Sequence, residues 1–197
     1  MAIGAIIILA VLGAVLLFGI GIYNRLIATR NEFKNAFAQI DVQLRRRYDL
    51  IPNLVETAKG YLAHERETLE AVIQARNNAQ SAAGDASARP ENGASIAALG
   101  VAEGALTGVM GRFFALAEAY PDLKADQSMQ ELMEELSVTE NRIAAARQQF
   151  NDAGTAFNNF REQFPNNLVS ALFGFNRAAL LEIEDPHMRE TPKLSFS

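Results

Sequence analysis

The residue types that most often carry chemistry are scarce in this 197-residue chain, which has two histidines, His64 and His187, and no cysteine. His64-Glu65 opens like the helix of a zinc protease, where two histidines one turn apart hold the metal. Position 68 is Thr68, so the second imidazole is missing. Without cysteine there is no thiol nucleophile and no thiolate metal ligand. No serine elbow, dinucleotide fingerprint or phosphate loop is present either. Glu134, Glu135 and Glu140 supply carboxylates, but a di-iron bundle also needs Glu-x-x-His pairs, and the sequence has none. The expectation is therefore no catalytic residue, no metal and no cofactor. The enzymatic alternative left open is a hydrolase that works with an unseen partner.

Two polar clusters stand out instead. Arg45, Arg46, Arg47, Tyr48, Asp49 and Asn53 surround Pro52, and Glu140, Asn141, Arg142 and Arg147 lie on a later periodic stretch. Such groups beside an apolar stripe either bridge helices or form a binding surface, and Asp49, Asn53, Glu140, Asn141 and Arg142 are the candidate polar interface. Charge is also unevenly placed. Residues 25–48 hold six basic and two acidic side chains, whereas residues 49–197 hold twelve basic and twenty-one acidic ones. The acidic distal part argues against nucleic acid as a partner. The basic part, Arg25, Arg30, Lys34, Arg45, Arg46 and Arg47, suits either a solvated face or anionic lipid head groups.

The elements that must position these residues are helical. The first 24 residues carry no charge, and Ile3 to Ile22 is almost wholly aliphatic. Twenty residues at ~1.5 Å each span about 30 Å, the hydrocarbon thickness of a bilayer. No basic residue precedes the run, which disfavours a cleaved signal. A retained span, residues 1–24, is expected, with Tyr23 at its edge. The basic flank then sets the N-terminus outside and the rest in the cytoplasm of a bacterial-type inner membrane.

Beyond the span, Leu26, Phe33, Phe37, Ile40, Leu44 and Tyr48 repeat at helical spacing. Pro52 lacks an N–H for the Tyr48 carbonyl, so a kink or short break is expected there. A second helix should then run from about Leu54 to Ala79. Residues 80–95, small and polar with Gly and Pro, read as a loop. Residues 96–119 form an apolar helix with Gly100, Gly104 and Gly108 on one face. Those glycines either admit another backbone or mark a low-complexity helix.

Ser128 and Glu131 match a capping box. From Leu132 to Phe164 apolar residues then alternate steps of four and three, as in coiled-coil packing. Pro165 stops this helix, a short one covers Leu168 to Phe173, and residues 182–197 form an extended tail. The fold class is all-α, a single transmembrane helix continuing into an antiparallel long-helix bundle over residues 25–181.

Several segments resemble a known family. IDVQLRRRYDLIPNLVETAKGY (Ile40 to Tyr61) followed by His64-Glu65, AYPDLKA (Ala119 to Ala125), TENRIAAARQQFNDAGTAFNNF (Thr139 to Phe160), Phe164-Pro165, Gly174-Phe175 and the closing TPKLSFS together look like the LemA family. The resemblance implies a helical bundle on one N-terminal membrane helix. It implies no established catalytic activity. Some relatives are linked to membrane organelle formation, and others to membrane proteases or two-component systems by association. The glycine stripe departs from the family's usual larger apolar residues.

The function expected is a non-enzymatic membrane-anchored scaffold that self-associates or binds other membrane proteins. The alternative is a membrane-shaping or anionic-lipid-binding protein.

Overall fold

The structure, a computed structural model, describes residues 2–182. Among the described residues it has six helices and no strand: α1 (Ala2–Lys59), α2 (Arg66–Ala88), α3 (Gly93–Glu118), α4 (Pro121–Ala125), α5 (Gln127–Glu162) and α6 (Asn166–Leu172). His187 and all of the expected tail except Glu182 lie outside the described residues.

α1 is 58 residues long, about 87 Å at 1.5 Å per residue. Its first 17 residues, 2–18, are exposed, Ile3 by 75% and Leu17 by 70%. This part is long and apolar enough to cross a membrane. From Ile22 the same helix enters the bundle without a break, and the expected stripe is buried: Leu26, Phe33, Phe37, Ile40, Leu44 and Tyr48 all lie in the core.

α2, α3 and α5 run up and down beside it. Arg76 of α2 meets Tyr48, Ser87 meets Asp41, and Glu91 just beyond α2 meets Arg30, so α1 and α2 are antiparallel. Phe150 stacks on Phe33, and Glu135 meets Arg46, so α5 also runs against α1. α3 is apolar enough by composition to resemble a span, but its inner face (Ile96, Leu99, Leu106, Phe113) is core.

Three boundaries differ from expectation. Pro52 does not break α1. The Tyr48 carbonyl that Pro52 cannot bond accepts instead from Arg76 Nε at 2.9 Å. With that acceptor satisfied, the helix continues to Lys59, and the chain turns at Gly60–Glu65. The expected loop over 80–95 shrinks to Arg89–Asn92. α2 extends to Ala88 because Ala79, Ala83 and Ala86 are small enough to bury against the neighbouring helices. The long helix α5 is capped by Asp126, whose side chain accepts from Met129 N at 2.9 Å, and Ser128 lies inside its first turn. Asn92 caps α3 in the same way through Ala94 N and Ser95 N.

Candidate functional site

Two arrangements concentrate the polar side chains. The first lies halfway along the bundle. Arg47 and Tyr48 face inward from α1, and Glu103 reaches them from α3 with no exposed surface. Arg47 Nη1 donates to Glu103 Oε2 at 2.7 Å, and the Tyr48 hydroxyl donates to Glu103 Oε1. Arg47 Nη2 also reaches Thr107 Oγ1 at 3.4 Å. From α5, Glu140 Oε1 stands 2.8 Å from Arg47 Nε, an ion pair that lacks hydrogen-bond alignment.

One guanidinium thus serves two carboxylates on two helices. Burial, then the Glu103 charge and the hydrogen bond to it, raises the Tyr48 hydroxyl far above the ordinary tyrosine range. Burial also raises the Glu140 carboxyl, against the pull of Arg47. The cluster bridges α1, α3 and α5.

The remaining candidate interface residues are not brought to it. Asp49, Asn53, Asn141 and Arg142 are exposed. Arg142 lines a shallow groove with Arg46, Glu134 and Glu135.

The basic membrane-proximal set is largely spent inside the fold. Arg30 and Lys34 both pair with Glu91 beyond α2, the former through Nη2 at 2.7 Å and the latter at 3.0 Å. The Arg30 hydrogen bonds hold the Glu91 carboxyl at about 2. Arg45 pairs with Asp41 at 2.8 Å, Arg46 with Glu135, and Arg47 as described. Within this set, Arg25 alone has no acidic partner among the described residues.

The second arrangement was not read from the sequence. After α6 the chain runs extended from Phe175 to Glu182 between α3 and α5, burying Phe175, Ala178 and Leu181. Asn158 grips it with both ends of its amide: Nδ2 donates to Ala178 O at 2.9 Å, and Oδ1 accepts from Ala178 N at 2.8 Å. Asn151 does the same at Leu181, accepting its N–H at 2.9 Å and donating to its carbonyl at 3.3 Å. Arg161 Nε donates to Phe175 O at 2.7 Å. Asn151 and Asn158 are seven residues apart on α5, two helical turns, which matches a strap running along the helix.

The strap also accounts for part of the glycine stripe. A Cβ on Gly100 would stand 2.5 Å from the Glu182 carbonyl oxygen. Gly104 lines the groove beside it, and Gly108 faces open space. The close approach at Gly100 is therefore within the chain, and none is made at Gly108 among the described residues. Gly154, not singled out in the sequence, is tighter than Gly108, because its Cβ would meet Leu180 at 2.9 Å and Phe33 at 3.2 Å.

An open groove of about 770 Å³ lies at the far end of the bundle, lined by Leu62, Leu69 and Ile73 with Lys59, Arg66 and Glu70 at its rim. His64 is exposed near it, and no group of three metal-ligating residues forms among the described residues.

The sequence model of the LemA family matches residues 36–196. "Protein LemA" of Metamycoplasma hominis is 26% identical over 84% of this chain and 71% of its own length. "Magnetosome protein MamQ" of Magnetospirillum gryphiswaldense is 25% identical over 79% of this chain, and "Magnetosome protein MamQ 2" of Paramagnetospirillum magneticum is 24% identical over the same share. This chain spans less than two thirds of those two relatives, 62% and 63%. None of these names is that of an enzyme. The matched region begins within α1, beyond the apolar stretch, and takes in the Arg47 cluster, the asparagine clamp and the strap, so this chain belongs to the LemA family.

Proposed function

We infer that this protein is a non-enzymatic, single-pass membrane scaffold, with its N-terminus outside and its helical bundle in the bacterial cytoplasm. The observation that carries the reading is the continuity of α1. One helix passes from an aliphatic, fully exposed stretch into the bundle core, so the anchor and the binding domain are a single rod. The exposed aliphatic length suits lipid and is costly in water. The buried polar side chains support the same view, since Arg47, Glu103, Asn151 and Asn158 hold helices and strap together. Names linking two relatives to magnetosomes fit a role at a membrane body.

The partner that suits the bundle best is a second copy of the chain. Val101 is 76% exposed between Ala98 and Ala105 on the outer face of α3, beside Ala71 and Ala75 of α2. Small residues there allow close helix approach. Other membrane proteins are the remaining partner class.

The absence of cysteine makes the test direct. Ala2→Cys should react with an impermeant maleimide on intact cells, and Asn141→Cys only after lysis. The opposite labelling would reverse the orientation. Val101→Cys should cross-link copies in native membranes. A protein that stays monomeric at high concentration rules out self-association.

A further inference from the structure

The helix α6 is built inside out. Its polar residues Asn166 and Ser170 are buried, whereas Leu168 is 61% and Leu172 is 79% exposed. The buried pair is fully used. Asn166 Nδ2 donates to Phe160 O at 2.9 Å, and Ser170 Oγ lies within hydrogen-bond reach of Arg161 O and Asn167 O. Phe160 O and Arg161 O belong to the last turn of α5, where a helix leaves its carbonyls without intrahelical partners.

The apolar side chains are thereby turned outward. Leu168 and Leu172 lie one turn apart on the outer face of α6, Phe164 precedes the helix and Phe173 follows it; Phe164 is 81% and Phe173 57% exposed. Four large apolar side chains within ten residues make a patch that a water-exposed surface seldom carries.

Its place in the fold says what covers it. α6 packs on α1, and the Phe173 ring lies 4.8 Å from the ring of Tyr23, with Phe175 at 5.8 Å. Tyr23 is the residue at which the aliphatic stretch ends. The patch therefore lies at the level where that stretch leaves the hydrocarbon; Arg25, two residues past Tyr23, and Arg177, four past Phe173, are exposed. Aromatic and aliphatic side chains backed by arginine suit the head-group boundary of a bilayer.

We propose that the outer face of α6, Leu168 and Leu172, together with the flanking Phe164 and Phe173, inserts into the bilayer interface as a second membrane contact beside the α1 span. The proposal rests on α1 being a membrane helix. With one contact the bundle is free to swivel about the span. With two, one side of the bundle is fixed against the bilayer.

The chain has no tryptophan, so a single substitution gives a unique depth reporter. Leu168→Trp and Leu172→Trp would be made in the full-length protein. Each would be reconstituted in phosphatidylcholine–phosphatidylglycerol vesicles with bromines at defined acyl positions. Phe18→Trp reports the span, and Val138→Trp, on the exposed side of α5, reports water.

The α6 tryptophans should emit to the blue of Val138→Trp and lose emission to shallow bromines, and Phe18→Trp to deeper ones. Quenching of Phe18→Trp with none at either α6 position overturns the second contact and leaves the span standing. No quenching at any position overturns both. A blue shift at α6 that fades on dilution, without bromine quenching, assigns the face to a second copy and also overturns the proposal.

Discussion

At the scale of residues, the buried arginine decides the energetics. Arg47 is 3% exposed, and Glu103 is not exposed at all. Removing one partner of such a pair leaves a charge in low dielectric without compensation, at a cost of roughly 3–5 kcal/mol. Glu103→Ala should therefore lower the unfolding free energy by about that amount, read from urea unfolding of the detergent-solubilised protein. Glu140→Gln should cost much less, because the Glu140 side chain is 44% exposed and burial already works against its charge. Equal losses from the two substitutions would mean that Arg47 does not distinguish its partners. Glu91 gives the pH dependence. Arg30, with Lys34, lowers its carboxyl from the ordinary 4.5 to about 2 in the folded state. A depressed carboxyl stabilises the fold fully above its unfolded value and loses that contribution as protons return. The stability gap between the native protein and Glu91→Gln should be constant near neutrality and narrow as the pH falls from 4.5 towards 2. A gap that widens on acidification would contradict the pairing.

At the scale of elements, the strap and the glycines of α3 make a matched comparison. Gly100→Ala would press a methyl group onto the Glu182 carbonyl, while Gly108→Ala would meet nothing. Alanine favours a helix interior over glycine by about 1 kcal/mol. Gly108→Ala should raise stability by that order, and Gly100→Ala should not. Amide exchange at Ala178 and Leu181 should quicken in Gly100→Ala, and in Asn158→Ala, while the buried stretch of α1 stays protected. Unchanged exchange would separate the strap from both residues. These elements also mark what the sequence could tell. The stripe of α1 is buried from Leu26 to Tyr48, because amphipathic periodicity is a local signal; the four-three alternation expected from Leu132 to Phe164 is buried from Leu136 to Phe157, and Phe164, beyond the end of α5, is 81% exposed. Pro52 makes no break, because the carbonyl it leaves free is filled by Arg76, 28 residues away in the chain. The strap was illegible because an extended segment held by side-chain amides has no period of its own. α6 was found in place, yet its orientation was hidden: an apolar stripe is read as facing the core, and here the core side carries Asn166 and Ser170.

At the scale of the whole molecule, the charges and the apolar surface suggest different bonds to a membrane, and the fold separates them. Residues 25–48 carry a net charge of +4, six basic less two acidic side chains, which by itself suits electrostatic attachment to anionic lipid. Folding redirects that charge. Arg30, Lys34, Arg45, Arg46 and Arg47 are each engaged by a carboxylate, four of them by carboxylates beyond α1, at Glu91 or later in the chain. An ion pair already formed has a much reduced field beyond a Debye length of about 8 Å at physiological salt. Attachment should then rest on the aliphatic surface of α1, which salt does not weaken. The full-length protein should stay with vesicles through high salt and alkaline carbonate, and leave only with detergent. It should bind neutral phosphatidylcholine vesicles about as well as anionic ones. Triple substitution of Arg45, Arg46 and Arg47 by Gln should reduce thermal stability, through loss of the Arg47 cluster, without changing the amount retained. Release by salt, or a strong preference for anionic vesicles, would instead return the basic segment to the lipid surface and make the ion pairs of the bundle secondary to it.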